Sequence, residues 1–308
     1  MVANGGISDQ IQVLKETTYD DGGLTGEKVF GVTKRFEWKQ ETSTQQSYGL
    51  ETSGPGATAN TDGVILTTGT HEWELTDGRE FEAIFGTLAD PAAGIFSLDV
   101  ATTLPSYTVK VIDSAADNTK LAIQGIKYTK FSLQVARGDE PVKVVADWVG
   151  KRIIATTIFT PTVATVEPLM FLDGCVSFGG TFQTEVEDIT LEMDRKVVPR
   201  RFIESTTAGS RRLPSAAIEG NLVLTYNGNM GAQREVIEQI WGADSLVDVR
   251  SDQNILLRLY RGKTQLNLTM TGGRMVTTGR ILDKEAEVAL MDFAGVGLDI
   301  TGTGSYAT

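Results

Sequence analysis

Apolar and polar residues alternate over short stretches through most of the chain. Val109–Ile112, Lys130–Val135 and Val142–Trp148 do so, as do Asn221–Tyr226, Ile255–Tyr260 and Leu266–Met270. A period of two puts one face of each stretch in a core and the other in water, which predicts half-buried β-strands. Turn-forming clusters fall between them, at Thr76-Asp77-Gly78, Arg137-Gly138-Asp139, Asn227-Gly228-Asn229 and Arg261-Gly262-Lys263. Helical spacing occurs in two places. Arg79–Phe85 gathers Phe81, Ile84 and Phe85 on one face, and Gly231–Trp241 gathers Val236, Ile237, Ile240 and Trp241. The pattern predicts a mainly β protein with two short helices.

The two helical segments resemble each other, and so do their surroundings. Their Arg-Glu pairs, Arg79-Glu80 and Arg234-Glu235, are 155 residues apart, and the closing Gly86 and Gly242 are 156 apart. Leu121–Gly125 parallels Leu268–Gly272 at an offset of 147, and Ala146–Gly150 parallels Met291–Gly295 at 145. A strand, a long loop and a returning strand precede each helix: Arg35–Thr42, Ser43–Asp62 and Val64–Leu75, then Asp188–Val198, Pro199–Pro214 and Ala217–Tyr226. The order and spacing predict two tandem β-sandwich domains of similar topology, each with one short helix and a long hairpin loop. The expected boundaries are 31–155 and 170–308. Residues 156–169, with Thr160-Pro161-Thr162 and Glu167-Pro168, read as an extended connector, and the polar, Gly-rich residues 1–30 as an N-terminal arm or loose segment.

Composition narrows the chemistry. Hydrophobic residues make up 41% of 308, enough for a sizeable core, and 33 Gly fit a turn-rich fold. Lys and Arg number 28 against 40 Asp and Glu, a net charge of −12, which disfavours tight DNA binding. A single Cys and a single His leave too few ligands for an internal disulfide or a Cys/His zinc site. No Ser lies in a G-x-S-x-G elbow, and Gly262-Lys263-Thr264 lacks the first Gly of a P-loop because position 257 is Leu. No signal peptide and no apolar run near ~18 residues is visible, so no membrane contact is expected. No catalytic residue, metal site or cofactor is expected.

His71, beside Glu72 in a strand, reads as structural, and Cys175 as a small buried apolar residue. Trp148 and Phe293 read as core anchors, with Trp73 and Trp241 packed beside the helices. Asp113, Asp117, Asp139 and Glu140 lie in turns without EF-hand spacing. The long loops stand out, because structureless stretches of that length within a domain tend to be functional. The first carries Glu41, Glu51 and Asp62 and almost no positive charge; the second is basic, with Arg195, Lys196, Arg200, Arg201, Arg211 and Arg212. Six cations on an acidic protein suit either nucleic acid or an acidic surface of a neighbouring copy. The lack of an aromatic-studded basic groove favours contact between copies.

Two stretches resemble the tail tube (major tail) proteins of long-tailed bacteriophages. One runs from Ile189–Met193 through Arg211-Arg212-Leu213-Pro214 to Ile218–Leu224; the other is Gly125–Gly150, with Gly138–Val142 and Ala146–Gly150. The likeness is one of layout over most of 35–300. It implies a structural virion protein, made in the host cytoplasm, that forms stacked rings around an acidic channel for genome passage. It implies self-association, three duplicated copies giving pseudo-sixfold symmetry, with other tail proteins at the tube ends and no specific DNA binding. The alternative from another class is a β-sandwich carbohydrate- or receptor-binding module, which predicts exposed aromatics at loop tips; Tyr48 and Phe202 are the tip aromatics present.

Overall fold

The alternating stretches become strands buried on one face. In Lys143–Gly150, Val144, Ala146 and Trp148 point inward while Asp147 faces water. The computed structural model describes residues 10–17, 19, 24–28, 30–47, 59–76, 78–92, 95–101, 103–113, 119–136, 140–156, 167–170, 174–183, 186–195, 197, 200–201, 211–212, 219–227, 252–261, 264–282, 287–295 and 297–303. The first half holds β1 (Gln10–Glu16), β2 (Leu24–Lys28), β3 (Val32–Ser47), β4 (Ala59–Glu74), β5 (Gly86–Ala92) and β6 (Ile95–Val100). It continues with β7 (Tyr107–Asp113), β8 (Thr119–Val135), β9 (Lys143–Gly150) and β10 (Arg152–Ala155). A 3-10 turn, Arg79–Phe81, leads into α1 (Glu82–Phe85), where a helix is expected. The second half holds β11 (Gly174–Phe178), β12 (Thr181–Gln183), β13 (Val186–Asp194), β14 (Arg200–Arg201), β15 (Arg211–Arg212) and β16 (Glu219–Asn227). It ends with β17 (Gln253–Arg261), β18 (Thr264–Leu282), β19 (Glu287–Gly295) and β20 (Gly297–Thr303). The expected helix at Gly231–Trp241 lies outside the described residues.

Eight antiparallel strands drawn from both halves form one continuous sheet, in the order β3-β4-β9-β8-β13-β16-β19-β18. The joint between the halves is β8 against β13, with Leu133 opposite Leu191 and Lys130 opposite Asp194. β8 and β18 also turn a corner into a second layer. Before the corner β8 pairs with β7 and β10, and β18 with β17 and β20. The corners fall at Gly125 and Gly272, whose φ of +67° and +59° suits a residue without Cβ. Glu16 on β1 locks the first corner: its buried carboxylate accepts from the Gly125 N–H at 2.8 Å and Thr108 Oγ1 at 2.7 Å.

Strand register repeats between the halves. One rung reads Glu37–Thr70–Asp147–Lys130, and its counterpart reads Thr190–Val223–Asp292–Thr277. These place β3 and β4 at an offset of 153 from β13 and β16, β9 at 145 from β19, and β8 at 147 from β18. Register shifts recur at matching places, between Tyr128 and Lys130 in β8 and between Met275 and Thr277 in β18. Offsets of 145 and 147 are those of the parallel segments in the sequence.

The core is continuous across the halves. Phe131 and Leu133 of β8, Leu191 and Met193 of β13, and Leu266 and Ile300 farther along belong to one buried cluster with Trp73 and Trp148. Its centre is aromatic: Phe36 stacks on Trp148 with centroids 5.3 Å apart, and Phe30 meets Trp73 edge-on at 5.3 Å. A second link pairs β20 with β6, Ile300 opposite Leu98.

Three expectations change. Residues 10–16 and 24–28 of the expected arm are strands; β1 pairs with β7 from Gln10 to Lys15, since Ile11 and Val13 supply an inward face. β5 and β6, not foreseen, fill 86–100. Cys175 is half-buried, not buried, opposite Arg258 near one side of its layer. Of the connector, Leu169 is pinned to the first half, donating its N–H to Leu75 O and accepting from Val142 N–H, both at 2.8 Å.

Candidate assembly surfaces

The outward face of the eight-stranded sheet is largely polar where its side chains are described, with Val145 and Val149 of β9 as apolar exceptions. Along the first-half rungs it shows Glu37, Thr70, Asp147 and Lys130, and across the joint Thr190, Glu192 and Asp194, none of them buried. Lys130 Nζ reaches Glu192 Oε2 at 3.3 Å over the joint. Partial burial raises the Asp147 carboxyl above its usual range; Asp194 adds to the rise and Lys130 opposes it. Carboxylates outnumber cations on this face where its side chains are described, although Arg35 pairs with Glu37 and Lys39 with Glu41.

The β3–β4 hairpin is longer than the flanking strands suggest. Pairing continues to Ser47 opposite Ala59, so both ends of the expected Ser43–Asp62 loop are strand. Glu41 is exposed and pairs with Lys39 Nζ at 2.5 Å, raising the lysine's pKa through that hydrogen bond and charge. Asp62 stands opposite Thr44, while Glu51 lies outside the described residues. Trp38, also on β3, is 42% exposed.

The basic hairpin has an unusual register. Arg200 stands opposite Arg212 and Arg201 opposite Arg211, so every described rung of β14–β15 sets cation against cation. Like charges at facing positions are destabilising in a strand pair. Arg195 is different: it is 1% exposed, its Nη2 donates to Ala101 O at 2.5 Å and its N–H to Thr129 O at 2.8 Å. It stitches the second half to the first within one chain, and desolvation lowers its pKa. Lys196 lies outside the described residues.

Two edges of the eight-stranded sheet carry no strand partner among the described residues. One is the outer side of β3, which pairs only with β4; the other is the 274–282 portion of β18, which pairs only with β19. Unpaired N–H and C=O rows of this length invite another strand.

No group of three or more His, Cys, Asp and Glu converges among the described residues. His71 is fully buried among rings, with Nδ1 2.9 Å from Tyr128 Oη and Nε2 3.1 Å from Thr33 Oγ1. It is a satisfied core side chain.

Comparison with known proteins gives the family. Residues 6–231, close to three quarters of the chain, match the family described as phage tail tube protein. The chain belongs to that family. The match runs from before β1 through β16 and so spans the β8–β13 joint. No curated protein matches the chain. Tail tube membership makes it a structural component of the virion tail that assembles with itself and with other tail proteins, and the family is not one of enzymes. The hairpins that the sequence singled out are thus parts of a self-assembling subunit. The unpaired sheet edges were not flagged, because they depend on pairings between residues far apart in sequence.

Proposed function

We propose that this tail tube protein is a tandem duplication, 31–155 and 170–308, of which three copies close into a ring with pseudo-sixfold symmetry. Rings stack into a tube whose channel passes the genome. The observation that carries this reading is the β8–β13 joint: two four-stranded units of matching register already lie edge to edge in one chain. A ring needs only more joints of that kind. The polar, acid-rich face of the sheet would line the channel, where net negative charge keeps DNA phosphates from sticking.

The long hairpins reach neighbouring copies. Arg200, Arg201, Arg211 and Arg212, with Lys196, meet acidic surface there, including Glu41, Glu51 and Asp62 of the first hairpin. Facing arginines are costly in an isolated hairpin, and an acidic neighbour relieves that cost. Electron microscopy of the purified protein tests the reading. The expected result is hollow tubes with three chains per ring; rings of six chains, or only monomers, would overturn it.

A further inference from the structure

We propose that the joint between copies repeats the β8–β13 joint residue for residue, with β18 of one copy against β3 of the next, and that Trp38 is its buried anchor. This rests on the ring reading above and fixes its register. The internal joint pairs Gln134 with Thr190 and Leu133 with Leu191. Moving β8 by 147 onto β18, and β13 by 153 back onto β3, puts Ile281 opposite Glu37, Arg280 opposite Trp38 and Thr278 opposite Gln40.

Exposure supports the match. Leu191, the counterpart of Trp38, is 2% exposed in the shared core with β8 beside it, whereas Trp38 on the open edge is 42% exposed. A large indole left open on an unpaired edge is a liability in a lone subunit and an anchor in an assembled one. An arginine at the facing position is a favourable neighbour for an indole ring.

The register also fixes the size of the barrel. A path along the first-half rung from Glu37 to Lys130 crosses the joint to Asp194, four residues beyond Thr190, the counterpart of Glu37. Each half therefore advances the stagger by four residues. Six halves give a shear of 24 for 24 strands, and equal shear and strand number set a tilt of about 36°, as in smaller barrels. With strands about 4.8 Å apart, the backbone cylinder is about 45 Å across, and the bore is wider than a B-form duplex.

Cysteine pairs test this in a Cys175→Ser background. Gln40→Cys with Thr278→Cys should give reducible covalent trimers on mild oxidation of assembled protein. Gln40→Cys with Arg280→Cys, two residues out of register, should give little. Tubes in which the second pair links as well as the first would overturn the register and leave the ring reading standing. Tubes whose backbone wall measures about 30 Å, as for 16 strands, would overturn the barrel. Trp38→Glu should fold with an unchanged circular dichroism spectrum and fail to form tubes, while Trp38→Phe assembles; normal tubes from Trp38→Glu would overturn the anchor. Wild-type protein that forms no ring at all would overturn both readings.

Discussion

Burial without a charged partner holds the His71 imidazole neutral, its pKa pushed down to about 3 from an ordinary 6.5. The unfolded chain takes up a proton at that site near pH 6.5, and the folded chain does so only near 3. Neutral burial therefore favours the fold fully above pH 6.5, and the contribution is lost as pH falls toward 3. The slope is up to about 1.4 kcal/mol per pH unit in that window. His71→Gln should lower stability at pH 7, through lost packing with Phe30 and Trp73. It should also flatten the fall in urea midpoint between pH 6.5 and 5 relative to wild type. An equal slope in both proteins would show that His71 does not titrate as its burial requires. The single His was legible as structural from sequence because no partner for catalysis accompanied it. Its depth was not, since the residues around it come from β3 (Thr33), from β8 (Tyr128) and from the segment between β2 and β3 (Phe30).

At the scale of elements, the period-two stretches located β7, β9, β16 and β17 well, and in β9 and β17 one face is buried while the other is not. β8 and β18 were read in pieces. Leu121–Gly125 and Lys130–Val135 are one strand, but a glycine at positive φ in its middle looks like a turn in one dimension. β1 was passed over inside a polar terminus although Ile11 and Val13 alternate correctly. The hairpins were legible by length and charge. Replacing Arg200, Arg201, Arg211 and Arg212 together with Glu changes the local charge by eight units per copy. The variant should remain folded but form no tubes, since exposed pairs worth under ~1 kcal/mol each become repulsions repeated at every contact. Removing 48–58 from the first hairpin should likewise spare folding and block tubes. Normal tubes from both variants, seen by negative-stain microscopy, would remove the hairpins from assembly.

At the scale of the molecule, the shared core makes the halves one folding unit in spite of their repeated register. Phe131, Leu133 and Val135 are buried in that core and stand opposite Met193, Leu191 and Ile189 of β13. Urea unfolding of the unassembled chain should therefore show a single transition, coincident by tryptophan fluorescence and far-ultraviolet circular dichroism. Two separated transitions would mean that the halves fold alone. Residues 1–156 expressed alone should associate or precipitate through the uncovered β8 edge.

Because the β8–β13 joint lies within one chain, it also changes the concentration law of assembly. A ring built from single units must form every joint by collision, and each collision loses translational freedom. Here the connector keeps two units within reach of each other at an effective concentration that dilution does not alter. In a ring of three chains only three of six joints remain bimolecular. The onset of tube growth should then depend on a lower power of protein concentration than for a ring of six separate units, so a virus carrying such a chain reaches its threshold from a smaller pool of subunits.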